Sequence, residues 1–332
     1  MRDDNSAIEL TPVAAGRGGA GRPGDRRGAT VRQVTRHAWL GTVLAGLGVV
    51  SFSGSFPGTV FAMRGFDPYF VTFSRAGIAT LVALVCLAAA GAPLLPPRKH
   101  LRAYLVIAVG VVFGFPLFSA LALHGGASTA HAAVLTGLLP AATAVGAVLR
   151  AGERPRALFW IACAAGALSI TVFVLTRGSG RFAGADLLLL LALVGAAAGY
   201  TEGGRLARET PGWRVISYSL VVAAPITVPV TAVLAVTTDP RPSGVSLAGL
   251  AYVGLVSMFL GFVPWYAGLA MGGIARAGQV QLAQPLLTLL WAWLLMGERF
   301  GWATVAAAFA VLVCVAVTQV SRGAGTRPPD SA

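Results

Sequence analysis

Four polar or aromatic side chains recur at helical intervals late in the chain. Gln281, Gln284, Thr288 and Trp291 are spaced by three, four and three residues, which puts them on one helix face. Glutamine amides facing hydrocarbon would go unpaired, so the stripe is expected to face an interior. It can line a polar cavity or act as interhelical hydrogen-bond glue. Arg75 sits within an apolar run, about seven residues or ~10 Å from its start. A buried guanidinium needs an interior partner, so Arg75 either anchors an anionic substrate group or ties helices together. Ser53, Ser55 and the backbone freed by Pro57 lie at a similar depth. Glu202, in Gly199-Tyr200-Thr201-Glu202-Gly203-Gly204, is either a snorkelling partner of Arg205 or Arg208 or a carboxylate that titrates beside Tyr200 and couples transport to protons. Trp265 and Tyr266 either stack a substrate or fill a core.

Nothing in the chain has the spacing of a catalytic centre. His37, His100, His124 and His131 lie outside the apolar runs or at their ends, and there is no HExxH, GxSxG or Gly-rich nucleotide loop. Cys86, Cys163 and Cys314 stand inside apolar runs without metal-ligand spacing and read as small core residues. No cofactor or metal is expected.

The elements that must position these residues follow from composition. Of 332 residues, 56% are hydrophobic and only 11% charged, with a mean hydropathy of +0.76. A soluble domain carries roughly 25% charged residues. The bilayer is the solvent that suits this chain, and the reading is an all-α membrane protein. Apolar stretches fall at about 38–62, 68–91, 101–122, 127–149, 157–176, 184–204, 213–236, 247–270, 276–296 and 302–320, separated by breaks carrying Pro, Gly, Arg or Asp. Each approaches the ~20 residues that span ~30 Å of hydrocarbon. Residues 1–37 and 321–332 are expected to be unstructured cytoplasmic tails.

The net charge of +13 does not signal nucleic acid, because the basic residues fill the N-terminal tail and the short gaps between apolar runs. With the N-terminus inside, 19 Lys and Arg fall on the cytoplasmic side and 5 outside, with Arg75 in a helix. The positive-inside rule therefore puts both termini in the cytoplasm of a multi-pass inner (plasma) membrane protein.

The chain also repeats itself. Pro140-Ala-Ala-Thr143 precedes Gly152-Glu153-Arg154, and Pro285-Leu-Leu-Thr288 precedes Gly297-Glu298-Arg299, an offset of 145 residues. The same offset aligns Gly54 and Gly58 with Gly199 and Gly203, and Thr72-Phe73-Ser74 with Ser217-Tyr218-Ser219. An offset of 147 aligns Gly114-Phe115 with Gly261-Phe262, and Gly125-Gly126 with Gly272-Gly273. Five helices per half is odd, so the halves, 38–176 and 182–320, are expected to be inverted, a hallmark of secondary transporters.

With its paired Pro…Gly-Glu-Arg segments, Arg75 and Ser53-Gly54-Ser55-Phe56-Pro57, the chain resembles the drug/metabolite transporter superfamily, specifically its ten-helix EamA-type members. The first motif departs from the tryptophan-containing form, since Ser51-Phe52 stands there. The resemblance implies export of small metabolites, amino-acid-like compounds or drugs, by alternating access. It also implies that the fourth and ninth helices line the path, which adds Thr136 and Pro140 to the candidates. The implied partners are a small-molecule substrate and the lipid bilayer, with proton coupling and a homodimer as open alternatives. The competing classes are an integral membrane enzyme and an accessory membrane subunit.

Overall fold

The computed structural model describes residues 39–151, 157–177, 184–281 and 283–323, and every regular element among them is helical. In chain order these are α1 (Trp39–Met63), α2 (Pro68–Ala89), α3 (Arg98–His124), α4 (Thr129–Arg150), α5 (Ala157–Arg177) and α6 (Gly184–Leu206). There follow α7 (Gly212–Thr237), α8 (residues 244–281), α9 (Ala283–Met296) and α10 (Trp302–Gly323). Among the described residues seven helices are long and apolar enough to cross a membrane: α1 to α4 and α6 to α8.

Helix ends coincide with the punctuation in the sequence. Asp67 caps α2, its carboxylate accepting from the Tyr69 and Phe70 N–H groups at 2.8 and 3.3 Å, with Pro68 in the first turn. Ser243 and Ser246 form a reciprocal capping box at the start of α8. One boundary differs from expectation. A break at 271–275 is anticipated from Gly272-Gly273, but the helix Phe262–Gln281 runs through it. Glycine is tolerated inside membrane helices, where every lost backbone bond is expensive. Gln281 therefore ends α8 rather than opening α9. The expected tails, and the corner holding Glu153, lie outside the described residues.

Large side chains such as Leu81, Val85, Val109, Val194 and Val236 point outward from the bundle. This belt suits lipid and would be untenable in water. Inside, α2 packs along α7, α5 along α10, α1 along the start of α8, α3 along α6, and α4 against α6 and α9. Small residues allow the closest crossings. A Cβ on Gly110 would strike the Gly195 carbonyl, and one on Gly268 would meet Gly41 O at 2.7 Å and Ala45 N at 2.6 Å.

Two stretches, Ala108–Gly114 in α3 and Tyr252–Leu260 in α8, widen into π-helical turns. The Gly261 N–H, for example, donates to Val256 O, five residues back, at 2.7 Å. Such turns leave carbonyls offset from the regular ladder and are common beside functional sites.

Candidate functional site

Between the two π-helical turns lies a small cavity. Ser55 of α1, Arg75 of α2, Tyr200 of α6, Ser257 of α8 and Gln284 of α9 contribute its polar groups. Phe52, Val111, Phe115, Met258 and Phe262 supply apolar wall. Ser55 and Arg75 lie eight and seven residues from the nearer ends of their helices, roughly 10–12 Å deep, so the cavity is well inside the bundle. It offers about 20 Å³ to the centre of a water-sized sphere, enough for one water. In this conformation the space is too small for a metabolite.

Its polar groups are only partly satisfied. The Arg75 guanidinium donates through Nη2 to Ser257 Oγ at 3.1 Å, and Ser257 Oγ lies 2.5 Å from Ser55 Oγ. Arg75 is 3% exposed, its Nε has no hydrogen-bond partner, and no described carboxylate forms an ion pair with it. Gln284 Oε1 is likewise buried and unpartnered. A donor cation and an acceptor oxygen in one low-dielectric space are left for water or a ligand group to satisfy.

Both ends of the bundle are shut over this space. Toward the Glu202 end, Phe52 packs on Phe262 with centroids 4.6 Å apart, and Tyr200 packs on Trp265 at 5.3 Å. Farther along the same end, the Glu202 carboxylate is bracketed by Arg150 at 2.5 Å and Arg205 at 3.0 Å, which ties α4 to α6. Toward the Asp67 end, Phe56 packs on Phe115 at 5.9 Å. There His131 Nε2 of α4 meets Asp186 Oδ1 of α6 at 2.6 Å. Glu298 caps α4 from across the bundle, accepting from Thr129 N–H at 3.0 Å and Ala130 N–H at 3.1 Å. The second Gly-Glu-Arg corner therefore supplies a cap to a helix distant in the same chain.

The sequence candidates separate accordingly. Ser55, Arg75, Tyr200 and Gln284 line the cavity. Trp265 and Tyr266 do not. They are fully buried in the aromatic plug, with the indole N–H and phenol O–H unpartnered. Thr288 and Trp291 grip α1 instead, donating to Ser53 O and Ser53 Oγ, each at 2.9 Å. Thr136 spends its hydroxyl on Ala132 O, and Pro140 lies buried in the first turn of the helix Leu139–Ala151. Gln281 is buried with Nε2 unpartnered, away from the cavity lining. Glu202 does not sit beside Tyr200. Residues two apart on a helix face apart, so Tyr200 joins the aromatic plug while Glu202 joins the arginines. Sequence reasoning missed Ser257. Its signal was a lone hydroxyl amid the apolar run 247–270, and only its meeting with Arg75 makes it informative.

The sequence profile of the EamA-like transporter family matches the chain twice, over residues 39–175 and 183–320. The chain belongs to the EamA-like transporter family. A Bacillus subtilis (strain 168) relative described as "Uncharacterized transporter YdeK" is 44% identical over 291 residues, covering 86% of this chain and 98% of that one. A solved crystal structure described only as that of a protein shares the fold, with a TM-score of 0.61 at 20% identity over 86% of this chain and 99% of its own. As an EamA-like protein the chain is a multi-pass membrane transporter.

Proposed function

We propose that this transporter is a secondary active exporter of small zwitterionic metabolites, working by alternating access around the Arg75 cavity. The observation that carries the reading is the buried, uncompensated Arg75 facing an unpartnered Gln284 oxygen across an aromatic-walled space. The guanidinium fits a carboxylate. The amide oxygen fits an ammonium or hydroxyl, and Phe52, Phe115, Tyr200 and Phe262 fit an apolar side chain. Amino-acid-like compounds have these three features.

The mechanism rests on ten membrane helices in two inverted halves. Support comes from the cavity itself, where pseudo-equivalent residues meet: Ser55 with Tyr200 at the offset of 145, and Val111 with Met258 and Phe115 with Phe262 at 147. The two π-helical turns, Ala108–Gly114 and Tyr252–Leu260, start 144 residues apart and end 146 apart, so they overlap at the repeat offset. In an inverted repeat the halves exchange conformations, so the Glu202 latch and the His131–Asp186 pair open alternately. With both termini in the cytoplasm of the inner membrane, the Glu202 end is the inner gate and the Asp186 end the outer one. In this closed conformation Glu202 tethers α4 to α6, which supports a latch role.

The reading is tested by overproducing the protein and screening growth resistance against amino-acid analogues and antibiotics, then reconstituting it with the strongest hit. Saturable, Arg75-dependent counterflow of a carboxylate-bearing compound supports the proposal. Transport confined to cations or to uncharged drugs sinks it.

A further inference from the structure

A second, larger cavity lies outside the wall of the central one and opens sideways between α1, α8 and α9. It measures about 540 Å³ to the centre of a water-sized sphere. Gly54, Gly58 and Gly249 form its floor, and Phe61, Trp291 and Leu295 its walls. From Gly54 to Arg64 the groove follows ten residues of helix, about 15 Å along the helix axis. That length and lining match an acyl chain lying parallel to the helices.

The groove is apolar except at its mouth, where Arg64 stands. The guanidinium is exposed and held over the Phe61 ring at 4.8 Å. The two acids nearest that rim are otherwise engaged. Asp67 caps α2, and Asp239 pairs with Arg241 at 3.3 Å. Among the described residues no carboxylate lies within ion-pair distance of Arg64; Asp67 and Asp239 keep their charge and share the adjoining rim with Arg64 and Arg241, so what the groove itself meets is a guanidinium not held by an acid.

We infer that this groove is a binding site for an anionic phospholipid, one acyl chain along α1 and the headgroup phosphate on Arg64. The inference needs only that the chain spans a membrane. The inner wall of the site is the pair Tyr252 and Trp291, which donate to Ser51 O and Ser53 Oγ of α1 at 2.9 Å. A seated acyl chain packs against the faces of these two rings that line the groove.

The full-length protein is reconstituted in bilayers containing phosphatidylglycerol or phosphatidylcholine with a diazirine in one acyl chain, irradiated, and its adducts are mapped by mass spectrometry. Adducts on residues 54–64 and 245–252 should be about fivefold more abundant with the anionic lipid, the gain one arginine gives near a charged headgroup. Arg64→Gln should bring that ratio close to one, while labelling around Leu81 and Val85 of α2 is unchanged. Ala248→Leu, a milder change than Ala248→Trp, should lower groove adducts of both lipids. Equal labelling by the two lipids in the parent, or a ratio indifferent to Arg64→Gln, overturns the site. So do disulfide-linked dimers from Ala248→Cys in native membranes, which would assign the groove to a second copy of the chain.

Discussion

Arg75 donates to Ser257 across the interface between the two matched segments, 182 residues away in sequence, at 3.1 Å. Ser257 also touches Ser55 at 2.5 Å, so one hydroxyl joins α1, α2 and α8. A serine hydroxyl cannot neutralise a guanidinium, so the arrangement leaves a buried positive charge, which in the proposed reading a substrate carboxylate meets.

Arg75→Leu is therefore expected to abolish transport while raising thermal stability in detergent, because the uncompensated cation goes with it. An intramembrane arginine costs about 2.5–3.5 kcal/mol on insertion scales. Fluorescence-detected melting together with counterflow checks both halves of the statement. A variant that loses stability along with transport would make Arg75 a structural tie.

Gln284→Ala and Gln284→Leu are both expected to reduce transport at least about tenfold, the worth of one good buried hydrogen bond to a charged group, with membrane abundance near that of the parent. The test is uptake into proteoliposomes normalised to protein. Unimpaired flux in both variants would remove Gln284 from the site.

Much of this layout is legible in the residues themselves. The ends of α2, α3 and α7 fall within about three residues of the apolar run limits, because Pro, Gly and charged residues end membrane helices for reasons local to the chain. The cavity was half legible. Arg75, Ser55 and Gln284 announce themselves as polar groups in hydrocarbon, whereas Ser257 is one small hydroxyl whose meaning depends on a partner far away in sequence. The π-helical turns have no periodicity that a sequence displays. Trp291 and Thr288 share the expected face with Gln284, yet they grip Ser53 instead of the cavity. Spacing fixes the face of a helix and not its depth against a neighbour. Of the two alternatives for Glu202 the pairing with Arg205 is the one found, at 3.0 Å, and two-residue spacing on a helix already sets its side chain apart from that of Tyr200.

Glu202→Gln and Arg150→Gln both loosen the tether between α4 and α6. Each should shift the transporter toward the state open at the Glu202 end, and the double variant should do little more, a non-additive result for a paired interaction. Proton coupling is read in the same preparation: if Glu202→Gln still accumulates substrate in response to a pH gradient as the parent does, the carboxylate is a latch alone.

Glu298→Gln weakens the cap on α4 supplied from the far corner. A lost cap costs about 1 kcal/mol, so melting should fall by a few degrees while transport at low temperature is retained. A melting point equal to the parent's would show that Thr129 and Ala130 find other acceptors.

Orientation is checked by cysteines at Gly178, Gly244 and Gly152. Impermeant thiol reagents added to intact cells should label the first two and spare the third. Labelling at Gly152 would invert the assignment of inner and outer gates.

The central claim, that one cavity is reached in turn from both sides, is tested most directly by Ser257→Cys in a background with Cys86, Cys163 and Cys314 replaced by alanine. The rate of its reaction with an impermeant thiol reagent is measured from each face of oriented vesicles. Slow labelling from both faces is predicted. Glu202→Gln should speed it from the Glu202 side, and Asp186→Asn from the other. Labelling from a single face in every background, or from neither, would contradict alternating access to this cavity.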